Sequence, residues 1–255
     1  MGTDRENGSL YIKIDGNVAI VEFGHPASNS FTAELLDRLT KELNQLSTND
    51  SISVVVLKSE GDRAFCAGAS FDELMAVSNL EEGKIFFSGF ANVINAMRKC
   101  KKVIVGRVQG KTVGGGVGLA SACDYVFATE AAAIRLSELS IGIAPLVIEP
   151  AVERKIGTAA LSELSLAPLE WKNAYWAEEK GLFSKVFDDL KALDKDLDFF
   201  VQKLSSYNPD ALLEWKRVLW KSTDHWDTLL KDRAAITGQL VLSEFTREAL
   251  SKFKK

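Results

Sequence analysis

Two hydrophobic periods divide the chain. In residues 10–23, LYIKIDGNVAIVEF, β-rich apolar runs lie on either side of Asp15-Gly16-Asn17, the pattern of a hairpin. Residues 32–47, TAELLDRLTKELNQLS, carry apolar residues at helical spacing, with Thr32 placed to cap the N-terminus. ISVVVLKS (52–59) and KVIVGRV (102–108) are continuous apolar runs, expected of strands buried on both faces. Between them, EGDRAFCAGAS forms a loop leading into FDELMAV, and residues 81–99 predict an amphipathic helix. A glycine-rich corner, a short helix and a third strand, DYVFAT, follow. Strands alternating with helices predict parallel βαβ units, hence an α/β core. From about residue 158 the period changes, and TAALSELSL, EWKNAYWAEEKG, 191–205, DALLEWKRVLWKS and 227–253 all read as helices. The expected division is a core over 1–190 and a helical portion over 191–255, packed on itself or on a partner subunit.

Composition narrows the function classes. Net charge is −4 over 255 residues, with acids and bases interspersed, which argues against a nucleic-acid surface as the main business. Cys66, Cys100 and Cys123 are odd in number and lack metal-ligand spacing, so reduced thiols in a cytoplasmic protein are expected, without a metal site. The opening MGTDRENGSLYIKID has no apolar segment, so neither a signal peptide nor a membrane anchor is expected.

The chemistry concentrates at two corners. VVVLKSEGDRAFCAGASFDEL and KVIVGRVQGKTVGGGVGLASA share one plan: buried strand, loop, glycine-containing corner, helix start. Each corner exposes backbone N–H groups at a helix N-terminus, where they lack intrahelical partners. Gly114, Gly115 and Gly116 lack the Lys-Ser/Thr pair of a P-loop and the G-x-G-x-x-G spacing. Two converging corners suit an oxyanion hole instead. Read alone, the glycine run is accounted for by close helix–strand packing.

Read together, AFCAGASFDEL (64–74), GGGVGLASACDYVFATE (114–130), LSELSIGI (136–143) and AEEKGLFSKVF (177–187) resemble the crotonase, or enoyl-CoA hydratase/isomerase, superfamily from about residue 10 to 250. The resemblance implies a crotonase-like spiral of ββα units with a helical C-terminal trimerisation portion, assembled as a homotrimer or dimer of trimers. It implies an acyl-CoA thioester substrate and no separate cofactor, coenzyme A being part of that substrate. The N–H groups of Ala69 and Gly115 would hold the thioester oxygen, with Gly115 lacking a Cβ so that backbone can approach it. The Ala67 carbonyl would lie near the adenine, and Ser28 and Asn29 along the adenosine-side groove. Gly114, Gly116, Gly118 and Leu146 would contact substrate. Lys254 or Lys255 would stand in for a tail lysine that touches the CoA of a neighbouring subunit.

Similar hydratases use two glutamates; here the first position is Gly118 and only the second, Glu138, is present. Hydration needs a base for water and an acid for the α-carbon, whereas moving a double bond needs one relay group. IGIAPLVIEP (141–150) is similar to the corresponding segment of the mitochondrial Δ3,Δ2-enoyl-CoA isomerases, and its bulky residues would dry the pocket and raise the Glu138 pKa. The leading expectation is a shift of a 3-enoyl-CoA to the 2-trans ester. Two alternatives stay open: a hydratase that recruits Glu149, and a non-catalytic CoA-binding subunit. Outside these roles, Glu149 reads as a solvated loop residue, Asp72 and Glu73 as first-turn dipole partners, and Asp124 as structural. His25 reads as a turn residue, and Lys111 as solvated or reaching a diphosphate.

Overall fold

The structure is a computed structural model, and it describes residues 7–252. Strands β1 (Ser9–Asp15) and β2 (Val18–Gly24) pair antiparallel around Gly16, whose φ of +58° suits the tight turn. Helix α1 (Ala33–Thr48) starts at Thr32, whose hydroxyl accepts the Leu35 N–H at 3.2 Å. It buries Leu35, Leu36, Leu39, Leu43 and Leu46 on one face. Then come β3 (Val54–Ser59), β4 (Ala64–Cys66), α2 (Phe71–Ala76) and α3 (Leu80–Lys99). The second repeat supplies β5 (Val103–Val108), β6 (Lys111–Val113), α4 (Gly115–Ala122), β7 (Tyr125–Thr129) and β8 (Ala133–Arg135). A 3₁₀ turn at Glu138–Ile141 leads to α5 (Glu149–Leu166), β9 (Lys172–Asn173), α6 (Ala174–Glu179) and β10 (Lys185–Phe187). Helices α7 (Leu190–Ser205), α8 (Pro209–Leu219), α9 (Trp226–Leu240) and α10 (Glu244–Ser251) complete the described chain.

Six strands form the main sheet in the order β1-β2-β3-β5-β7-β10, all parallel beyond the hairpin. Its continuous apolar runs are explained by cover on both faces. On one side Val21, Val55, Ile104 and Val126 join α1 and α3; on the other Val18, Val54, Val56, Val105 and Phe127 meet Leu193, Leu197 and Val201 of α7. Helix α7 is thus a layer of the core, and packing is continuous across residue 190.

A second sheet, β4-β6-β8-β9, lies apart from the first, and its strand β9 corrects the helical reading at the start of EWKNAYWAEEKG. Lys172–Asn173 and Lys185–Phe187 are strands of two and three residues, too short to carry a period. The C-terminal helices pack on their own chain. Helix α9 lies along α3 with Gly83 against Gly238; a Cβ on Gly83 would stand 2.7 Å from the Gly238 carbonyl oxygen. Helix α10 sits against the 3₁₀ turn, where a Cβ on Gly142 would meet Phe245 and Thr246 at 2.5 Å. Lys254 and Lys255 lie outside the described residues. No helix among the described residues is long and apolar enough to cross a membrane.

Candidate active site

Both corners open into one cavity of about 510 Å³. At the first, Gly68 turns the chain with φ +93°. The Phe31 N–H donates to the Gly68 carbonyl at 2.8 Å, and the Ser70 N–H donates to the Phe31 carbonyl at 2.7 Å. These bonds flank Ala69 in a parallel bridge, so its own N–H faces the opposite side. Ala69 lines the cavity there. At the second corner Gly114 has φ +52°, and Gly115 begins α4 with an N–H that has no partner within the helix. The corners touch: a Cβ on Gly68 would stand 3.1 Å from the Val113 carbonyl oxygen and 3.8 Å from the Gly115 nitrogen.

Each glycine of the run excludes a side chain for a different reason. A Cβ on Gly114 would come within 2.8 Å of Glu138 Oε1, so the carboxylate lies directly on that backbone. A Cβ on Gly115 would collide with the Phe90 ring. The expected reason for Gly115 is therefore corrected: its missing side chain makes room for Phe90, while its N–H is left free on the helix end. Gly116 packs on Cys66, and Gly118 on Ile148 at 2.5 Å from the position of a Cβ. Neither lines the cavity, which corrects the expectation that they contact substrate; Gly114, Ala67 and Leu146 do line it.

Ser28 and Asn29 also stand apart from the cavity. Asn29 is buried, its amide donating to the carbonyls of Glu60 and Ala64 at 2.8 and 2.9 Å while its oxygen accepts the His25 N–H at 3.1 Å. That side chain is committed to holding the loop. Ser28 is exposed, and its carbonyl accepts the Ala67 N–H at 3.1 Å.

Glu138 is the one carboxylate among the described residues lining the cavity. The 3₁₀ turn that carries it is stopped by Gly142 in the left-handed conformation. Its Oε2 is buried without a hydrogen-bond partner, and burial pushes the carboxyl up to about 7. The surrounding wall is apolar: Phe71, Leu74, Phe86, Phe87, Phe90 and Ile148. Phe90 and its neighbours recur at helical spacing in α3, the signal by which this wall could have been read from the sequence. Glu149 points elsewhere. It pairs with Arg233 of α9 in a separate cleft, which corrects its reading as solvated and removes it as a second acid for the cavity. Arg233 also donates to the Leu146 carbonyl at 3.1 Å, so α9 holds the loop that walls the cavity. Among the described residues no group of three or more His, Cys, Asp or Glu side chains is placed to hold a metal.

The chain is similar to known proteins along nearly its whole length. Residues 13–253 match the enoyl-CoA hydratase/isomerase family. A probable enoyl-CoA hydratase of Bacillus subtilis (strain 168) is 26% identical over 249 residues, which span 96% of this chain and 95% of that protein. The peroxisomal Delta(3,5)-Delta(2,4)-dienoyl-CoA isomerase of Arabidopsis thaliana is 26% identical over 208 residues, 77% of this chain and 74% of its own. The crystal structure of enoyl-CoA hydratase from Bacillus halodurans has the same fold, with a TM-score of 0.89 at 19% identity, covering 96% of this chain and 99% of that one. The match runs through both corners, Glu138 and the helices that close over them, and the chain belongs to the enoyl-CoA hydratase/isomerase (crotonase) family, enzymes acting on acyl-CoA thioesters.

Proposed function

We propose that the protein moves the double bond of a 3-enoyl-CoA to the 2-trans position, with Glu138 as the single proton relay. The observation that carries this reading is the single carboxylate lining the cavity among the described residues, lying on Gly114 beside the second corner with its Oε2 buried and unbonded. The N–H groups of Ala69 and Gly115 hold the thioester oxygen. Glu138 takes a proton from C2, the electron pair passes into a dienolate spread to C4, and the same carboxyl returns the proton at C4. Each N–H donor contributes about 3–4 kcal/mol of transition-state stabilisation. No cofactor takes part beyond the CoA of the substrate. Within the same reading the protein associates into a homotrimer or a dimer of trimers, as the family resemblance implies.

Hydration is the competing outcome, because the Bacillus subtilis relative is named for it. It needs a second group, and the place where similar hydratases carry one is taken by Ile148 packed on Gly118. Gly118→Glu is therefore expected to lose about 1–3 kcal/mol of stability through overpacking and to gain no hydratase activity, measured by urea melts and 3-hydroxyacyl-CoA formation. The deciding experiment incubates wild type with a 3-enoyl-CoA and, separately, a 2-enoyl-CoA. Formation of 2-trans-enoyl-CoA from the first supports the proposal. Fast 3-hydroxyacyl-CoA formation from the second replaces it with hydration, and inertness toward both supports a non-catalytic CoA-binding role.

A further inference from the structure

We propose that the cavity carries an anion subsite at Arg135, beside Trp171 and Lys111, and that the acyl chain of the preferred substrate ends in a carboxylate. This deepens the acyl-CoA reading above and rests on it. Strands β6 and β8 pair with Val113 opposite Arg135 and Thr112 opposite Ile134. Thr112 and Ile134 are fully buried, so the alternation of a strand sends Lys111, Val113 and Arg135 to the other face. Val113 and Arg135 line the cavity on that face.

Arg135 lines the cavity, whereas Lys111 and Trp171 stand beside its rim, Lys111 exposed, and neither cation is paired with an acid. The Arg135 guanidinium carbon lies 4.5 Å from the centre of the Trp171 ring, and Lys111 Nζ lies 5.1 Å from the same centre. Two like charges thus share one indole. Among the described residues no carboxylate lies within 4.0 Å of either, and Arg135 Nε is buried with no hydrogen bond. Elsewhere Arg98 meets Asp227, Arg107 meets Asp194 and Arg233 meets Glu149. Arg154, stacked on Trp220, bonds to the Leu219 carbonyl outside this cavity. Among the described residues Arg135 is the arginine that lines the apolar space holding Glu138, and no carboxylate pairs with it.

A carboxylate satisfies that fork with two charge-assisted hydrogen bonds, and the stacked indole holds the guanidinium flat to receive them. The position suits the end of a short acyl chain. The Arg135 carbonyl accepts the Gly114 N–H at 3.0 Å, so the arginine leaves the backbone directly beside the oxyanion corner.

The test uses two saturated, unreactive esters of equal chain length, hexanoyl-CoA and adipoyl-CoA, with affinities measured by calorimetry. Wild type is expected to bind adipoyl-CoA about tenfold more tightly. Arg135→Met should bring the ratio of the two affinities to about one, and Arg135→Lys should restore part of it. Equal affinities in wild type overturn the subsite and leave the isomerase reading intact. A ratio unchanged in Arg135→Met, with both affinities lowered, assigns the cation to the phosphates of CoA and also overturns it. Failure of both esters to bind removes the acyl-CoA reading itself.

Discussion

Glu138→Gln is expected to lower double-bond migration by about 10²–10⁴-fold, the loss that follows removal of a positioned proton-transfer group. The amide keeps the size of the carboxyl and its place against Gly114, so the loss reports chemistry rather than collapse of the cavity. The pH profile sharpens the test. A base must be ionised to accept a proton, and burial pushes this one up to about 7. The rate at low substrate should therefore rise with pH through about 7 and level off above it, with that limb absent from the variant. Stability responds with the opposite sign. Between the ordinary carboxylate range and about 7, the folded state holds a proton that the unfolded chain releases, so stability falls as pH rises through that window. Glu138→Gln is then expected to raise the melting temperature relative to wild type at about pH 8, and to lose that advantage at about pH 4. Retention of most of the wild-type rate would remove Glu138 from the mechanism, whatever the melts show.

Local periods carried much of the fold, because long elements repeat their pattern. The hairpin at Gly16, the Thr32 cap and the unbroken apolar runs of β3 and β5 were all legible. The second sheet was not, since strands of two and three residues leave no period, and pairing such as Thr112 with Ile134 is a property of the assembled chain. The same limit explains the site. Glu138 was visible through its motif, but whether Glu149 faces solvent depends on Arg233, far along the chain in α9. Asn29 looked available for a ligand because the carbonyls of Glu60 and Ala64 that consume its amide leave no mark on its neighbours. The glycine run shows the converse. Residue type announced a close approach at each position, and only packing tells which neighbour approaches: Glu138, Phe90, Cys66 or Ile148.

The other large effect is structural. Lys216→Met is expected to cost about 3–5 kcal/mol, because it strands a buried charge. Asp124 and Lys216 side chains are each 3% exposed and lie 3.0 Å apart. Asp124 Oδ2 accepts the Ile104 N–H at 2.7 Å and Oδ1 accepts the Trp220 indole N–H at 2.6 Å, so one carboxylate joins the start of β5 to the end of α8. Lys216 Nζ donates to the carbonyls of Met97 and Lys102 at 3.1 and 2.7 Å, closing the same junction at the end of α3. Removing the ammonium leaves the carboxylate and two carbonyls short of a partner inside the protein. Asp124→Asn keeps an acceptor for Ile104 or Trp220 but leaves the ammonium uncompensated, so it should also destabilise. The double variant should cost less than the two single losses added together, since the Asp124–Lys216 pair is then removed as a unit, while Lys155, which donates to the Asp124 carbonyl at 3.1 Å, stays in all four proteins. Urea melts of the four proteins measure this coupling. Additive losses would mean that the two groups act independently, and that the hydrogen bonds to backbone, rather than the ion pair, hold the C-terminal helices to the sheet.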